Sequence, residues 1–113
     1  MIRKTDEFVA RTNVRGGVGT IEMHNLLNEG ELGGKVKMLA RIVLPAYASI
    51  GYHQHTEDWE HYYILSGTGV FTGPDEVAQD VVAGDMCMIK KGESHALSND
   101  GEGPMEILAI ILE

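Results

Sequence analysis

Glycine interrupts this chain at short intervals, and that spacing restricts its fold more than any other feature. The 113 residues include 14 glycines, which separate short runs rich in β-branched and other apolar side chains. Runs of this length fit strands closed by glycine turns, and none carries a convincing amphipathic helical period. The sequence therefore predicts an all-β protein, either a sandwich or a barrel with little or no helix.

Strand periodicity is clearest in two runs. From Lys35 to Leu44, apolar residues alternate with charged ones, which predicts a strand with one buried face that ends at Pro45. The run from Met105 to Leu112 is predicted to be the final strand, with buried character on both faces. Residues 1–34 have weaker patterns, and we expect them to form an N-terminal arm and strands that join the barrel.

Large apolar side chains are abundant in the middle of the chain. We expect them to be core or barrel-wall residues, with Cys87 as a buried structural thiol rather than a nucleophile or ligand. The methionines and aromatic residues in this group are Met38, Met86, Met88, Tyr52, Trp59, Tyr62 and Tyr63.

Composition limits the classes of function. The length suits one domain, 1–113, and 17 acidic against nine basic residues give a net charge of −8. That charge repels nucleic acid and acidic membrane surfaces, so neither is an expected partner. The single cysteine excludes an internal disulfide, and no apolar run is long enough to cross a bilayer. A cytoplasmic location is the expectation.

Three of the five histidines, His53, His55 and His95, suggest a metal site. His53 and His55 are two residues apart, so on a strand they leave the same face and can hold one ion. Strand parity alone selects Glu57 as the accompanying carboxylate. His24 and His61 lack this spacing and are interpreted as structural.

Two motifs resemble those of the cupin superfamily. The first is His53-x-His55-x4-Glu60-x6-Gly67, and the second is Gly84-x5-Lys90-x-Gly92-x2-His95-x3-Asn99. The resemblance covers positions 51 to 99 and implies a double-stranded β-helix, the cupin jelly-roll barrel, with residues 35–113 as the cupin core. Two positions depart from the pattern. Lys90 replaces the usual proline of the second motif, which predicts a less rigid turn, and Tyr47 replaces the leading glycine of the first.

The resemblance also implies a site. One divalent metal ion, Mn, Fe, Ni or Zn, would be held by His53, His55, Glu60 and His95. The family spacing favours Glu60 over Glu57, provided that a turn or bulge between Thr56 and Trp59 resets the strand parity. Glu57 and Asp58 would then be solvated turn residues. A homodimer is also expected.

The function remains open between two hypotheses. The first is an enzyme, a metal-dependent dioxygenase, decarboxylase or isomerase that acts on a small carboxylate, sugar-derived or phenolic compound. Tyr62 or Glu57 would serve as its acid or base. The second is a module that binds or senses a small molecule, with a structural metal. In both, a metal centre with a net charge near +1 favours a small anionic ligand.

Overall fold

The computed structural model describes all residues, 1–113, and consists of ten strands with two short 3-10 turns. The strands are β1 Val9–Thr12, β2 Thr20–Asn25, β3 Val36–Leu44, β4 Ser49–Gln54, β5 Trp59–Ser66, β6 Thr68–Thr72, β7 Ala78–Val82, β8 Met86–Ile89, β9 Ser94–Ser98 and β10 Met105–Leu112. The 3-10 turns are Val14–Gly16 and Glu29–Glu31. The all-β prediction is confirmed. No helix is long and apolar enough to span a membrane.

The strands form two antiparallel sheets. The larger sheet has six strands in the order β1-β2-β3-β10-β5-β8, and the smaller has four in the order β4-β9-β6-β7. Residues 1–34 supply β1 and β2, which pair with each other and continue the larger sheet beyond β3. The division into an N-terminal extension, 1–34, and a core, 35–113, stays a prediction.

The core follows the strand alternation read from the sequence. Along β3, Ala40, Ile42 and Leu44 are buried, and β10 buries Met105, Ile107 and Ala109. The residues between them on β10 are half-buried, so the run from Met105 to Leu112 has one core face and one outer face. Alternation of this kind is what packing between two sheets requires.

Several large side chains predicted for the core lie on the outside instead. Met86 and Met88 are 54% and 65% exposed, and Tyr63 is 39% exposed. Tyr63 pairs with Met86 across β5 and β8, so these side chains share the outer face of the larger sheet. Trp59 and Tyr52 are also exposed, whereas Tyr62 and Cys87 are buried as expected.

Both departures from the family motifs have local structural explanations. Tyr47 has φ 62°, so it adopts the left-handed conformation that a glycine would take without strain. Lys90 uses the backbone N–H that proline lacks, donating it to Glu93 Oε1 at 2.8 Å, while the Glu93 N–H donates to the Lys90 carbonyl at 3.0 Å. Hydrogen bonds therefore close the turn before His95 in place of a proline ring.

Candidate metal centre

Four polar side chains meet between the two sheets. His53 lies on β4, His55 directly after β4, and His95 on β9, while Glu60 reaches the same point from β5 in the facing sheet. His53 and His95 are cross-strand partners, which brings their ring centroids to within 4.8 Å. One ligand atom from each of the four residues lies within 4.8 Å of the others, and all but the half-buried His53 are buried. The turn after Gln54 resets the strand parity and brings Glu60 to this cluster, whereas Glu57 is exposed.

The distances between donor atoms fit a shared metal ion. His55 Nε2 stands 3.2 Å from His53 Nε2 and 3.1 Å from His95 Nε2. Glu60 Oε1 is 2.9 Å from His55 Nε2 and 3.0 Å from His95 Nε2. Two donors at right angles, each about 2.1 Å from one ion, would stand about 3.0 Å apart. The cluster is therefore able to bind a metal ion with neighbouring ligands near right angles.

The outer nitrogens of two histidines set their tautomers. His53 Nδ1 donates to the Gly51 carbonyl oxygen at 2.7 Å, and His55 Nδ1 stands 2.7 Å from Asp58 Oδ1. A carbonyl oxygen only accepts, so His53 Nδ1 carries the proton and its Nε2 lone pair is directed into the cluster. The Asp58 carboxylate favours the same tautomer for His55. His95 Nδ1 is buried without a partner.

Burial and hydrogen bonding shift the pKa values of three residues of the cluster. Burial raises the pKa of Glu60, but hydrogen bonds from His55 and His95 outweigh it and bring that pKa to about 2. The hydrogen bond to Glu60 raises the pKa of His55, whereas burial lowers the pKa of His53. Three converging imidazoles and one carboxylate thus favour a positive charge at their centre, whether a proton or a metal ion supplies it.

A cavity of about 200 Å³ opens beside the cluster. His53, His55 and Glu60 form its polar end, and most of its wall is apolar. Tyr62 lines the cavity and stacks on His95, with ring centroids 4.9 Å apart. Burial, and then the charge of Glu60, raises the pKa of Tyr62 well above 10, with Arg15 acting in the opposite direction. Tyr62 is therefore a neutral hydrogen-bond donor at ordinary pH.

The structure places the other residues considered from the sequence as follows. Glu57 is exposed and is absent from the cavity wall. Cys87 is buried, and burial raises the pKa of its thiol to about 11, which suits a structural role. His24 is buried outside the cluster and hydrogen-bonds the Thr5 carbonyl oxygen at 2.8 Å. Arg41 lies on β3 outside the cluster and pairs with Glu106.

Sequence reasoning missed two contributions to this site. Asp58 was expected to be a solvated turn residue, yet it is the carboxylate that holds His55. Its position three residues after a histidine in a turn is the only signal that the sequence offered. Arg11 and Arg15, from the N-terminal region, line the cavity. No local pattern connects them to His53, because only the packing of distant segments brings them together.

Comparison with known proteins assigns the family. The model of the cupin domain family, Cupin_2, matches residues 40–111, which is more than half of the chain. The chain belongs to the cupin family. Its two sheets are accordingly those of a double-stranded β-helix, as the motifs implied. The match begins on β3 and ends on β10, so it includes all four residues of the cluster.

A protein and a solved structure from Thermotoga maritima are both highly similar to this chain. A protein named oxalate-binding protein is 42% identical over 103 residues, covering 89% of this chain and 83% of the relative. A crystal structure described as a predicted oxalate decarboxylase superposes with a TM-score of 0.93 at 38% identity, covering 99% of this chain and 98% of that one. A cupin 2 conserved barrel domain protein from Salinispora arenicola, at 17% identity, has a TM-score of 0.79 over 100% of this chain and 88% of its own. The last likeness concerns the fold alone.

Proposed function

We propose that this cupin binds a small carboxylate anion of the oxalate type at a divalent metal ion held by His53, His55, Glu60 and His95. The observation that carries the proposal is the convergence of three imidazole Nε2 atoms and one carboxylate oxygen beside a small cavity. His53 and His55 are oriented for this role by hydrogen bonds on their outer nitrogens. Such supporting contacts are characteristic of metal-binding histidines.

Charge and size favour a small anion as the ligand. Three neutral imidazoles and one carboxylate leave a divalent ion with a net charge near +1, and a six-coordinate ion keeps two positions for a bidentate ligand. The cavity of about 200 Å³ is smaller than the pockets, about 300 Å³ or more, that hold drug-sized ligands. A relative that is 42% identical bears the name oxalate-binding protein, which agrees with this chemistry.

Turnover of the anion is the second candidate function. It is favoured by the similarity to a structure described as a predicted oxalate decarboxylase. Decarboxylation of oxalate to formate and carbon dioxide consumes a proton, and Tyr62 is the neutral donor nearest the cluster in the cavity. Glu57 is less suited because it is exposed and does not line the cavity. With one tyrosine and no free carboxyl group in the wall, the cavity supports binding better than proton-transfer catalysis.

The metal site is tested by metal analysis of untagged protein. His53→Ala and His95→Ala are expected to lose the bound ion, and the matched control His61→Ala to keep it. His61 is a suitable control because it lies on β5 next to Glu60 but belongs to no metal-binding cluster. The ion found identifies which of Mn, Fe, Ni or Zn the site prefers under the growth conditions. Unchanged metal content in both alanine variants would refute the site.

Ligand binding and turnover are separated in one experiment. Calorimetric titration of metal-loaded and metal-free protein with oxalate is expected to show binding only when the metal is present. The same mixtures are then assayed for formate and carbon dioxide under air and under argon. Binding without products supports the binding module, whereas steady product formation supports the enzyme. An absence of oxalate binding by loaded protein would contradict the proposed ligand.

Assembly as a homodimer is part of the same proposal. The outer face of β5 and β8 exposes a group of large apolar side chains, which is typical of an interface. This outer-face group consists of Trp59, Tyr63, Leu65, Met86 and Met88. Light scattering is expected to give a dimer for the wild type and a monomer for Met88→Glu. Val77→Glu, at an exposed apolar residue outside that group, should remain dimeric. A monomeric wild type would refute the dimer.

A further inference from the structure

We propose that Arg15 binds the end of the ligand that faces away from the metal, so that the preferred ligand is a short dicarboxylate. This inference rests on the proposed function, since it assumes that one carboxylate group of the ligand reaches the metal. The cavity has His53, His55 and Glu60 at one end, and it is also lined by Arg11 and Arg15. Apart from these residues and the neutral hydroxyl of Tyr62 its wall is apolar, so only the arginines can neutralise a second anionic group.

The two cavity arginines are the unpaired arginines of the chain. Of four arginines in the sequence, Arg3 pairs with Glu31 and Arg41 pairs with Glu106. Arg11 and Arg15 have no carboxylate partner within 4.0 Å and donate no side-chain hydrogen bond. In a chain with 17 acidic residues, the two guanidinium groups without a partner are the two that border the cavity. Their donors are therefore free for an anion that enters it.

The backbone at Arg15 is held in an unfavourable conformation. Arg15 has φ 54° and ψ 32°, in the left-handed region, inside the 3-10 turn Val14–Gly16. A non-glycine residue stays there only when its surroundings fix it, and such residues are frequent at ligand sites. Here the Asn13 side chain donates to the Gly17 carbonyl oxygen at 3.0 Å, and the Ser49 N–H donates to the Val18 carbonyl oxygen at 2.8 Å. The turn is thereby attached to β4.

Two glycines permit this attachment. A Cβ atom at Gly17 would lie 2.2 Å from the Ser49 carbonyl oxygen, and one at Gly51 would lie 2.2 Å from the Arg15 carbonyl oxygen. The turn and β4 can approach so closely only because both positions lack a side chain. Since β4 also carries His53, the position of Arg15 is fixed relative to the metal cluster.

Arg15 is better placed than Arg11 to contact the ligand. Its turn packs directly against β4, the strand that carries His53, and both Arg15 and His53 line the cavity. Arg11 lies on β1, at the edge of the larger sheet, and is expected to contribute a more general attraction for anions. A guanidinium group matches a carboxylate with two parallel hydrogen bonds, and an apolar wall strengthens that pairing while offering little to a sugar hydroxyl.

The test compares dicarboxylates with a monocarboxylate. Mn²⁺-loaded protein is titrated calorimetrically with oxalate, malonate and acetate, using wild type, Arg15→Met, Arg15→Gly and Arg11→Met. Arg15→Met is expected to lower the affinity for whichever dicarboxylate binds the wild type more tightly by about 10- to 100-fold, which is the effect of losing charge-assisted hydrogen bonds. The affinity for acetate should be nearly unchanged. Arg15→Gly should give the same loss, because glycine accepts the positive φ and keeps the turn folded.

Controls separate this inference from the proposed function. Arg3→Met removes an arginine that pairs with Glu31 away from the cavity, and it should bind all three anions like the wild type. Equal dicarboxylate affinity in wild type and both Arg15 variants would overturn the inference while leaving the proposed function intact. An equal loss for acetate, or a larger loss in Arg11→Met, would also overturn the role of Arg15. A wild type that holds manganese but binds neither dicarboxylate would overturn both proposals.

Discussion

Replacing Gly17 with alanine tests how tightly the N-terminal turn is fixed to β4. Gly17 has φ −73° and ψ −174°, which alanine adopts freely, so the substitution acts through contact alone. Its Cβ would meet the Ser49 carbonyl oxygen at 2.2 Å and the Gly51 nitrogen at 2.9 Å, both backbone atoms. Relaxing the shorter contact to a separation of about 3.5 Å requires a displacement of about 1.3 Å.

That displacement predicts a defined loss of stability. Overpacking of this kind costs about 1–3 kcal/mol. In a domain of this size 1 kcal/mol lowers the melting temperature by roughly 4 °C, so Gly17→Ala should melt roughly 4–12 °C lower. The turn that carries Arg15 moves with Gly17, so oxalate affinity should fall while metal content stays unchanged, because the four cluster residues are not displaced.

Calorimetric melting and oxalate titration of manganese-loaded protein measure both effects. Gly30→Ala is the matched control, because no atom lies within 4 Å of its added Cβ and it should melt like the wild type. If Gly17→Ala has the same melting temperature and oxalate affinity as Gly30→Ala, the turn accommodates the added methyl group without loss of stability, and the steric argument is refuted. If stability falls but affinity does not, the turn does not position a ligand-binding residue.

Three other perturbations have expected outcomes. Asp58→Asn removes the carboxylate that orients His55 and should weaken metal affinity about 10- to 100-fold in a competition titration with a chelating dye. Asn99→Asp replaces a buried amide that donates to three backbone carbonyl oxygens, at 2.8, 3.0 and 3.1 Å, with a carboxyl that repels them, and should cost about 3 kcal/mol in urea unfolding. Metal-free protein should lose roughly 3 kcal/mol of unfolding free energy as the pH falls from about 4.5, the usual pKa of a glutamic acid, to about 2, the pKa of Glu60 when folded. Urea titrations across this range should show that loss in the wild type and a smaller one in Glu60→Gln.

Local patterns in the sequence predicted most of the fold, whereas the full cluster was implied by the resemblance to the cupin motifs. Strand alternation identified the buried face of β3, and β10 has the predicted bounds. The choice of Glu60 over Glu57 depended on a turn that resets parity, and the structure has that turn between β4 and β5. The strand features could be predicted because they depend on periodicity within a few residues, whereas Glu60 was preferred on the spacing of the family motif.

Two of the three features that were missed depend on how parts of the chain fold onto one another. The role of Asp58 depends on how the turn folds back onto His55. Arg15 reaches the cavity because its turn packs against β4, more than 30 residues later in the chain. The exposure of Met86 and Met88 was missed because residue type alone predicts burial, whereas the alternation on β8 gives them the outer face. No local pattern in the sequence connects Arg15 to the cavity.

The cluster residues come from both sheets of the barrel, and this arrangement would make the lifetime of the protein depend on the supply of metal. Glu60 comes from the larger sheet and His53 and His95 from the smaller, so an ion bound to all of them would cross-link the two layers of the barrel. Every tenfold rise in free metal above its dissociation constant would then add about 1.4 kcal/mol against separation of the layers. A cell short of the metal would accumulate a looser barrel that proteases cut more readily, so abundance would follow metal availability.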